Sequence, residues 1–320
     1  PRSDEEPDVV LGCAGDVVKI CNARLSANLG REEARNEFLF YAEGRHPLLE
    51  RMEPGLHGAI LNYLNTFASS VGREFDFRHG SIGNFILTGA CLAHNGDVNT
   101  AIFVFRKLCG IRGNVWPSSC DNDLVLSARL NDGRSLMPQD VITSMVPEDA
   151  RIGIAEVELA RADRSPAVAN PAVLDAIANA DLIAFGPGSL YTSILPHLLV
   201  NGLVPAIENA SCPVVFIGNI LQCRETMGLT LEDVLSAANL HGRKGGGNAD
   251  LFVSVLANRM LFPFEKTIGK FPYLRENLQE DAGTAIFRGE FEDAWSRGQH
   301  DGDATVAVLL KIAAGGASDA

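Results

Sequence analysis

A short stretch in the middle of the chain combines glycines and hydroxyl residues in a pattern that can bind an anion. Residues 186–188 read Gly-Pro-Gly, and four hydroxyl residues follow within five positions. Glycines let a phosphate approach the backbone, and the N–H groups and dipole at a helix start attract it. An ordinary strand-to-helix turn with capping hydroxyls gives the same pattern, so this alternative stays open. The predicted ligand contacts in this stretch are Gly186, Gly188, Ser189, Leu190, Tyr191, Thr192 and Ser193.

The segments around this turn predict an α/β fold. The apolar run 182–185 is too short for a buried helix and has breakers on both sides, so it is predicted to be a buried strand. The run 213–218 predicts the next strand, and Asn219 follows it. Because ligands bind at the carboxyl ends of strands in open sheets, Asn219 is a predicted base or sugar contact. Strands and helices alternate over most of residues 151–314, which predicts a Rossmann-like three-layer sandwich with a mainly parallel sheet.

The first third of the chain predicts helices. Apolar residues recur at three- and four-residue steps over residues 54–71, and Ser81 and Asn84 lie at a glycine-rich entry to another apolar helix. These two polar residues are predicted ligand contacts, with helix packing and local capping as the alternative. Alternating residues from Leu124 lead into Asn131-Asp132-Gly133, which is typical of a β-hairpin. We expect one domain over residues 11–314, with a helical cap over 11–120 and the sheet over 121–314.

Composition excludes several classes of function. The formal charge of −13 disfavours a nucleic-acid partner, since binding to phosphates needs basic patches. No apolar stretch approaches the length of a membrane span, so we expect no membrane partner and a cytoplasmic location. The seven cysteines show no metal-binding spacing and are interpreted as reduced core thiols.

Two further features have plain interpretations. The histidines His46, His79 and His300 are isolated in the sequence and are interpreted as structural or solvated. The glycine-rich run 242–247 is predicted to be a flexible loop, with a ligand lid as the alternative. No pair of residues forms a nucleophile with its base.

Several motifs together resemble the CofD/YvcK superfamily, which contains the 2-phospho-L-lactate transferases and the gluconeogenesis-factor-like proteins of the UPF0052 type. The string Gly-Pro-Gly-Ser-Leu-Tyr-Thr-Ser from residue 186 is specific to this resemblance. Within it, Leu190-Tyr191 is similar to the YvcK side, since the transferases usually carry an Asn-Pro-Ile-type sequence there. The other matching segments are Gly80-Ser81-Ile82-Gly83-Asn84, Gly96-Asp97, Asn131-Asp132-Gly133 and Gly218-Asn219.

The resemblance implies two functions of different classes. YvcK-like proteins are associated with binding of UDP-sugars and with carbon metabolism and cell-wall supply. The transferases join a phosphorylated group from a guanosine diphosphate donor to an acceptor alcohol, with a divalent metal such as Mg²⁺. The expected partner is therefore a nucleoside diphosphate or a nucleotide sugar, and we also expect a homodimer.

One departure from the family pattern affects the metal site. Members of the family begin with a glycine-rich nucleotide loop and an Asp-Asp-Gly-Gly-type segment, and neither is in this sequence. Gly15-Asp16 resembles the family's Gly-Asp-Ile-Arg, so Asp16 is a candidate metal ligand, with a helix cap as the alternative. Because the chain does not begin with Met, we expect that the first part of the family pattern is absent from the chain rather than lost.

Overall fold

The architecture comes from a computed structural model, which describes residues 16–259, 271–279 and 283–315. The chain divides into two compact units, Pro1–Cys120 and Asp121–Ala320. Within the described ranges, no helix is both long and apolar enough to cross a membrane.

The N-terminal unit is helical, as the sequence predicts. In its longest described helix the buried positions Leu56, Ile60, Leu64 and Phe67 share one face, because their three- and four-residue spacing matches the helical turn. These side chains belong to one buried cluster of the unit. The helices of this unit span 16–22 (α1), Arg31–Ala42 (α2), Pro54–Ser70 (α3), Ile82–Ala93 (α4) and Val98–Leu108 (α5).

The C-terminal unit begins with an antiparallel sheet of order β2-β1-β3, formed by Leu124–Leu130 (β1), Ser135–Leu136 (β2) and Ile154–Arg161 (β3). The predicted hairpin is confirmed, and Gly133 in its turn has a φ angle of +89°. Strand β3 lies within residues 151–314, for which the sequence predicts a mainly parallel sheet, but it pairs antiparallel with β1 and not within the parallel sheet. Alternation of apolar residues identifies a strand without specifying its partner.

A parallel sheet follows, with its four strands in sequence order β4-β5-β6-β7. Neighbouring residues on these strands face different clusters: Phe216 and Val255 join one, and Val215 and Leu256 join the other. Both faces are therefore covered, which confirms the Rossmann-like α/β prediction. The strands span Ile183–Phe185 (β4), Val214–Ile217 (β5), Ser254–Asn258 (β6) and Ala285–Gly289 (β7).

Helices pack around these sheets, and one of them corrects a prediction. The helices of this unit are Gln139–Thr143 (α6), Pro147–Ile152 (α7), Pro171–Ala178 (α8), Leu195–Leu198 (α9), Leu203–Glu208 (α10), Leu231–Lys244 (α11) and Gly302–Ala313 (α12). Helix α11 continues through Gly242 to Lys244, although the run 242–247 is predicted to be a flexible loop. A Cβ atom at Gly245 would lie 1.9 Å from the carbonyl oxygen of Leu198. Glycine at position 245 therefore permits close packing, whereas both interpretations of this run invoked mobility.

Candidate functional site

The Gly-Pro-Gly turn lies at the carboxyl end of β4, at the same edge of the sheet as the end of β5. The two strands are parallel neighbours. Gly186 has a φ angle of +93°, and a Cβ atom there would lie 2.9 Å from the carbonyl oxygen of Ile217. Only glycine adopts this conformation in this space without strain. The turn is thus fixed against the end of the neighbouring strand, which is where the sequence predicted a ligand-binding edge.

Asn219 joins the two strand ends through both atoms of its amide. Its Oδ1 accepts a hydrogen bond from the Gly188 N–H at 3.1 Å, and its Nδ2 donates to the Gly188 carbonyl oxygen at 2.8 Å. A side chain without both a donor and an acceptor could not make this pair. Asn219 was predicted to contact a ligand directly, and the structure gives it a role in holding the turn.

The Gly188 backbone was expected to face a phosphate, but in the structure it is engaged within the protein. Its N–H group is bonded to Asn219, and its φ angle lies outside the left-handed region. A Cβ atom would lie 3.4 Å from Ile194 Cδ1 and 3.5 Å from Ser193 Cβ, so it would point toward the following helical turn. A Cβ atom at this position would therefore make ordinary van der Waals contact with the following helical turn.

A cleft of about 500 Å³ opens beside the turn. This volume falls within the roughly 300–1,000 Å³ that is usual for ligand pockets. We call it the Asn219 cleft. It is lined by Pro187, Gly188, Asn219–Leu221 and Gly298–His300.

His300 is a wall of this cleft, although its isolation in the sequence gave no functional signal. Its Nε2 lies 3.1 Å from the carbonyl oxygen of Gly218, the residue before Asn219. Because a carbonyl only accepts, Nε2 carries the hydrogen and Nδ1 is the acceptor nitrogen of a neutral ring. Burial lowers the pKa of His300, and the bond to Gly218 partly opposes this shift. The neutral ring is therefore the favoured form near neutral pH.

The segment after the turn is helical, but its first turn is a wide π-helical one, Leu190–Ile194, which continues into α9. Leu190, Tyr191 and Thr192 are buried there, whereas Ser193 is exposed. The Tyr191 hydroxyl donates to the Ile154 carbonyl oxygen at 3.1 Å, and burial raises the pKa of Tyr191 to about 12. The Tyr191 hydroxyl therefore acts inside the core.

A buried carboxylate, Glu225, occupies the position at which the sequence predicted an external anion. Its Oε2 accepts the N–H groups of Tyr191 at 2.9 Å and of Thr192 at 3.1 Å. Its Oε1 accepts the Thr192 hydroxyl at 2.5 Å. This corrects the expectation that Tyr191 and Thr192 offer these groups to a ligand: the helix start is already capped by the protein's own anion. Desolvation raises the pKa of Glu225, and the three bonds oppose that rise.

Two backbone N–H donors directly after the turn remain. Within the described residues, the N–H groups of Ser189 and Leu190 have no acceptor, so they can serve a ligand. Ser189 also lines a smaller cleft of about 220 Å³, which we call the Ser189 cleft. Its other lining residues are Thr143, Cys223, Arg224, Glu225 and Phe271.

Arg224 brings a positive charge to this smaller cleft. Its guanidinium donates to the carbonyl oxygens of Ser144 and Met145 at 3.2 Å each, and the side chain remains exposed. Arg224 and Glu225 are adjacent in the 3₁₀ turn Arg224–Thr226. One charge therefore faces outward while the other is buried.

Comparison with known proteins places this arrangement in a family. The sequence model described as "2-phospho-L-lactate transferase CofD" matches residues 14–268, most of the chain. The chain belongs to the CofD family. This confirms the resemblance to the CofD/YvcK superfamily that the motifs indicated.

Curated relatives of this CofD-family chain are gluconeogenesis factors. The Listeria innocua gluconeogenesis factor is 30% identical over 233 residues, covering 72% of this chain and 69% of the relative. The Bacillus subtilis gluconeogenesis factor is 36% identical over 167 residues, covering 52% and 50%. For several relatives, the chain spans only 39% to 50% of their length. A crystal structure of a UPF0052-family protein from Bacillus halodurans has a TM-score of 0.60 at 24% identity, covering 90% of this chain and 88% of that one, which supports the fold.

Three candidate residues of this CofD-family chain lie in the N-terminal unit. The Ser81 hydroxyl donates to the Cys21 carbonyl oxygen at 3.0 Å and is buried, whereas Asn84 is exposed on α4. Asp16 forms an ion pair with Lys19 at 3.3 Å. Among the residues that the structure describes, no group of three or more His, Cys, Asp or Glu side chains could hold a metal ion. Ligand contact by Ser81 and Asn84 and metal ligation by Asp16 stay predictions.

The sequence did not identify Glu225, Arg224 or His300 as parts of the site. Glu225 lies 34 positions after Tyr191, and no local pattern links the two. A weak signal existed for all three, since Arg224 and Glu225 come after the end of β5 and His300 comes after the end of β7. Strand ends mark an edge of the sheet, but they do not specify which side chains reach it.

Proposed function

We propose that this chain binds a nucleotide sugar of the UDP-sugar type in the Asn219 cleft and regulates carbon or cell-envelope metabolism. The observation that carries the proposal is the cleft of about 500 Å³ at the carboxyl edge of the parallel sheet, beside the Gly-Pro-Gly turn. In α/β sheets this edge is where nucleotides bind. The similarity to gluconeogenesis factors supports the assignment to the YvcK-like group.

The groups around the turn suggest which part of the ligand lies in which of the two clefts. We assign the diphosphate to the unbonded N–H groups of Ser189 and Leu190, with Arg224 as the nearby cation. Backbone N–H groups and a guanidinium are the usual partners of phosphate oxygens. The sugar or base lies in the Asn219 cleft, where His300 presents a neutral imidazole. Mg²⁺ bound to the diphosphate would offset the repulsion expected from a chain of charge −13.

Calorimetric titration tests this assignment. UDP-N-acetylglucosamine, other UDP-sugars and GDP are each titrated into the protein, with and without Mg²⁺. Asn219→Ala removes the pair that holds the turn, and we expect binding to weaken by about five- to a hundredfold, since such a pair contributes roughly 1–3 kcal/mol. Asn209→Ala is the matched control, because Asn209 is exposed and its amide bonds only within its own helix end. Thermal melts establish that both variants are folded.

Two results would contradict the proposal. One is the absence of saturable binding of every nucleotide to the wild-type protein in the presence of Mg²⁺. The other is equal binding by the wild-type and Asn219→Ala proteins when both melt normally. Equal weakening by Asn209→Ala would place the effect outside the cleft.

The matching family model favours a second candidate, a metal-dependent transferase. Such an enzyme would transfer a phosphorylated group from a nucleoside diphosphate donor to an acceptor alcohol. A coupled assay distinguishes the two functions: release of nucleotide that requires both Mg²⁺ and an added alcohol supports the transferase. Binding of a nucleotide sugar without turnover supports the regulatory function.

A further inference from the structure

A third cleft lies at the same edge of the sheet and is lined by arginines. Its volume is about 350 Å³, which is within the usual range for small-molecule pockets. Ile220 lines both this cleft and the Asn219 cleft, so the two are neighbours with a common wall. We call it the arginine cleft, and its polar lining consists of Asn258, Arg259, Tyr273, Arg275, Glu276 and Arg288.

The charges of this lining do not cancel. Arg288 and Glu276 form a two-pronged ion pair, with Nε to Oε2 at 3.1 Å and Nη2 to Oε1 at 3.2 Å. Glu276 is thus neutralised, and Arg259 and Arg275 remain. Neither of their guanidinium groups has an ion-pair partner within the described ranges 16–259, 271–279 and 283–315. The lining therefore carries a net charge of about +2 in a chain whose formal charge is −13.

The backbones that carry these two arginines are fixed. The Arg259 N–H donates to the Gly289 carbonyl oxygen at 2.7 Å, which holds Arg259 between the ends of β6 and β7. The Arg275 carbonyl oxygen accepts from the Leu231 N–H at 3.0 Å, at the start of α11. Guanidinium groups held on fixed backbones lose less conformational freedom when they bind an anion.

Asn258 adds a neutral donor. Its Oδ1 accepts the Phe291 N–H at 2.8 Å, which orients the amide. Its Nδ2 has no acceptor among the described residues. Two exposed cations and an oriented N–H donor therefore line one open cleft, and this combination matches the oxygens of a phosphate group.

We propose that the arginine cleft is a second anion-binding site, which binds a small phosphate monoester separately from the ligand of the Asn219 cleft. A phosphate monoester carries close to two negative charges at neutral pH, which balances the net charge of the lining. The buried side chain of Ile220 forms the wall between the two clefts. The site therefore takes an effector or a second substrate and does not depend on the function proposed above.

Titrations with defined probes test this site. Inorganic phosphate, glycerol 3-phosphate and succinate are titrated at constant ionic strength into wild-type, Arg259→Gln, Arg275→Gln and Arg151→Gln proteins. We expect saturable binding of glycerol 3-phosphate to the wild type. We expect Arg259→Gln and Arg275→Gln each to weaken this binding by about tenfold or more. Arg151→Gln is the matched control, because it removes an exposed charge from α7, whose residues do not line the cleft. All four proteins are checked by thermal melting.

Four outcomes would overturn the proposal, and a fifth would affect only the function proposed above. Absence of saturable phosphate-ester binding to the wild type removes the site, and equal weakening by Arg151→Gln shows only general charge attraction. Stronger binding of succinate contradicts the ligand class. If Arg275→Gln abolishes UDP-sugar binding and glycerol 3-phosphate competes with the UDP-sugar, the cleft belongs to one shared site. Normal phosphate-ester binding without any nucleotide binding leaves this site standing and removes only the function proposed above.

Discussion

Replacing Glu225 with alanine should destabilise the C-terminal unit more than the loss of any exposed carboxylate. Glu225 is 5% exposed and accepts three hydrogen bonds, two from backbone N–H groups and one from the Thr192 hydroxyl. The variant leaves two buried N–H groups without an acceptor, and each costs about 1–3 kcal/mol. Relief of the carboxylate's desolvation offsets part of this loss. We expect a net decrease of about 2–4 kcal/mol in the free energy of unfolding.

This magnitude is large enough for a simple assay. For a unit the size of Asp121–Ala320, each kcal/mol lowers the melting temperature by about 2–4 °C, so a decrease of about 4–16 °C is expected. Glu290→Ala is the matched control, since Glu290 is exposed in a loop and should change stability by less than about 0.5 kcal/mol. Glu225→Ala melting within 2 °C of this control would refute the role of Glu225 as an internal anion.

The isosteric variant Glu225→Gln separates charge from shape. A glutamine oxygen can still accept the two N–H groups, and its amide N–H can donate to the Thr192 hydroxyl, so we expect a loss of only about 1 kcal/mol. The pH dependence should also change. The folded-state pKa of Glu225 is raised, so the folded protein binds the proton more readily than the unfolded chain. In the wild type this carboxyl adds stability as the pH falls through its raised pKa toward 4.5, and that contribution is missing in the glutamine variant.

Two further predictions concern the turn and a buried histidine. Gly186→Ala should lower the free energy of unfolding by at least about 2 kcal/mol in urea titrations, because φ is +93° and the new Cβ would lie 2.9 Å from the Ile217 carbonyl oxygen. Gly188→Ala is the control, since the atom nearest to its new Cβ would lie at 3.4 Å. Equal losses in the two variants would contradict the requirement for glycine at position 186. His241 is fully buried, its Nε2 accepts the Val157 N–H, and burial lowers its pKa. The neutral form of His241 should therefore contribute its full stabilisation above pH 6.5, and the free energy of unfolding should fall below that pH by up to about 1.4 kcal/mol per pH unit. In thermal melts at acid pH, His241→Gln should show a smaller decline than the wild type.

The sequence predicted those parts of the fold in which local pattern and tertiary structure agree. The apolar stripe of α3 is buried as its spacing requires, and the residues Asn131-Asp132-Gly133 form the expected hairpin turn. The strand before Gly186 and the strand before Asn219 are adjacent and parallel. The helix and the hairpin turn each depend on residues within about twenty positions of one another, and each of the two strands is itself a short local run, so period and turn chemistry are informative.

The predictions that failed depend on contacts across longer separations. The partner of β3 is decided by pairing with β1, and the alternation within β3 does not encode this choice. Gly245 is a glycine because the Leu198 carbonyl lies against it, 47 positions earlier in the chain. The composition of a glycine run is the same for a mobile loop and for close packing, so the sequence could not distinguish them.

The placement of Glu225 changes the kind of ligand site that the Gly-Pro-Gly motif forms. A helix start with all its N–H groups exposed would bind phosphate through the backbone alone. Here the Tyr191 and Thr192 donors are used by an internal carboxylate, so a ligand phosphate meets only Ser189 and Leu190 and comes close to a negative charge. A positive side chain must then offset that repulsion, and Arg224 precedes Glu225 on the rim of the same cleft. Affinity for a diphosphate at this turn is therefore expected to depend on a side-chain cation, or on a metal ion carried by the ligand, more than on the glycine motif itself.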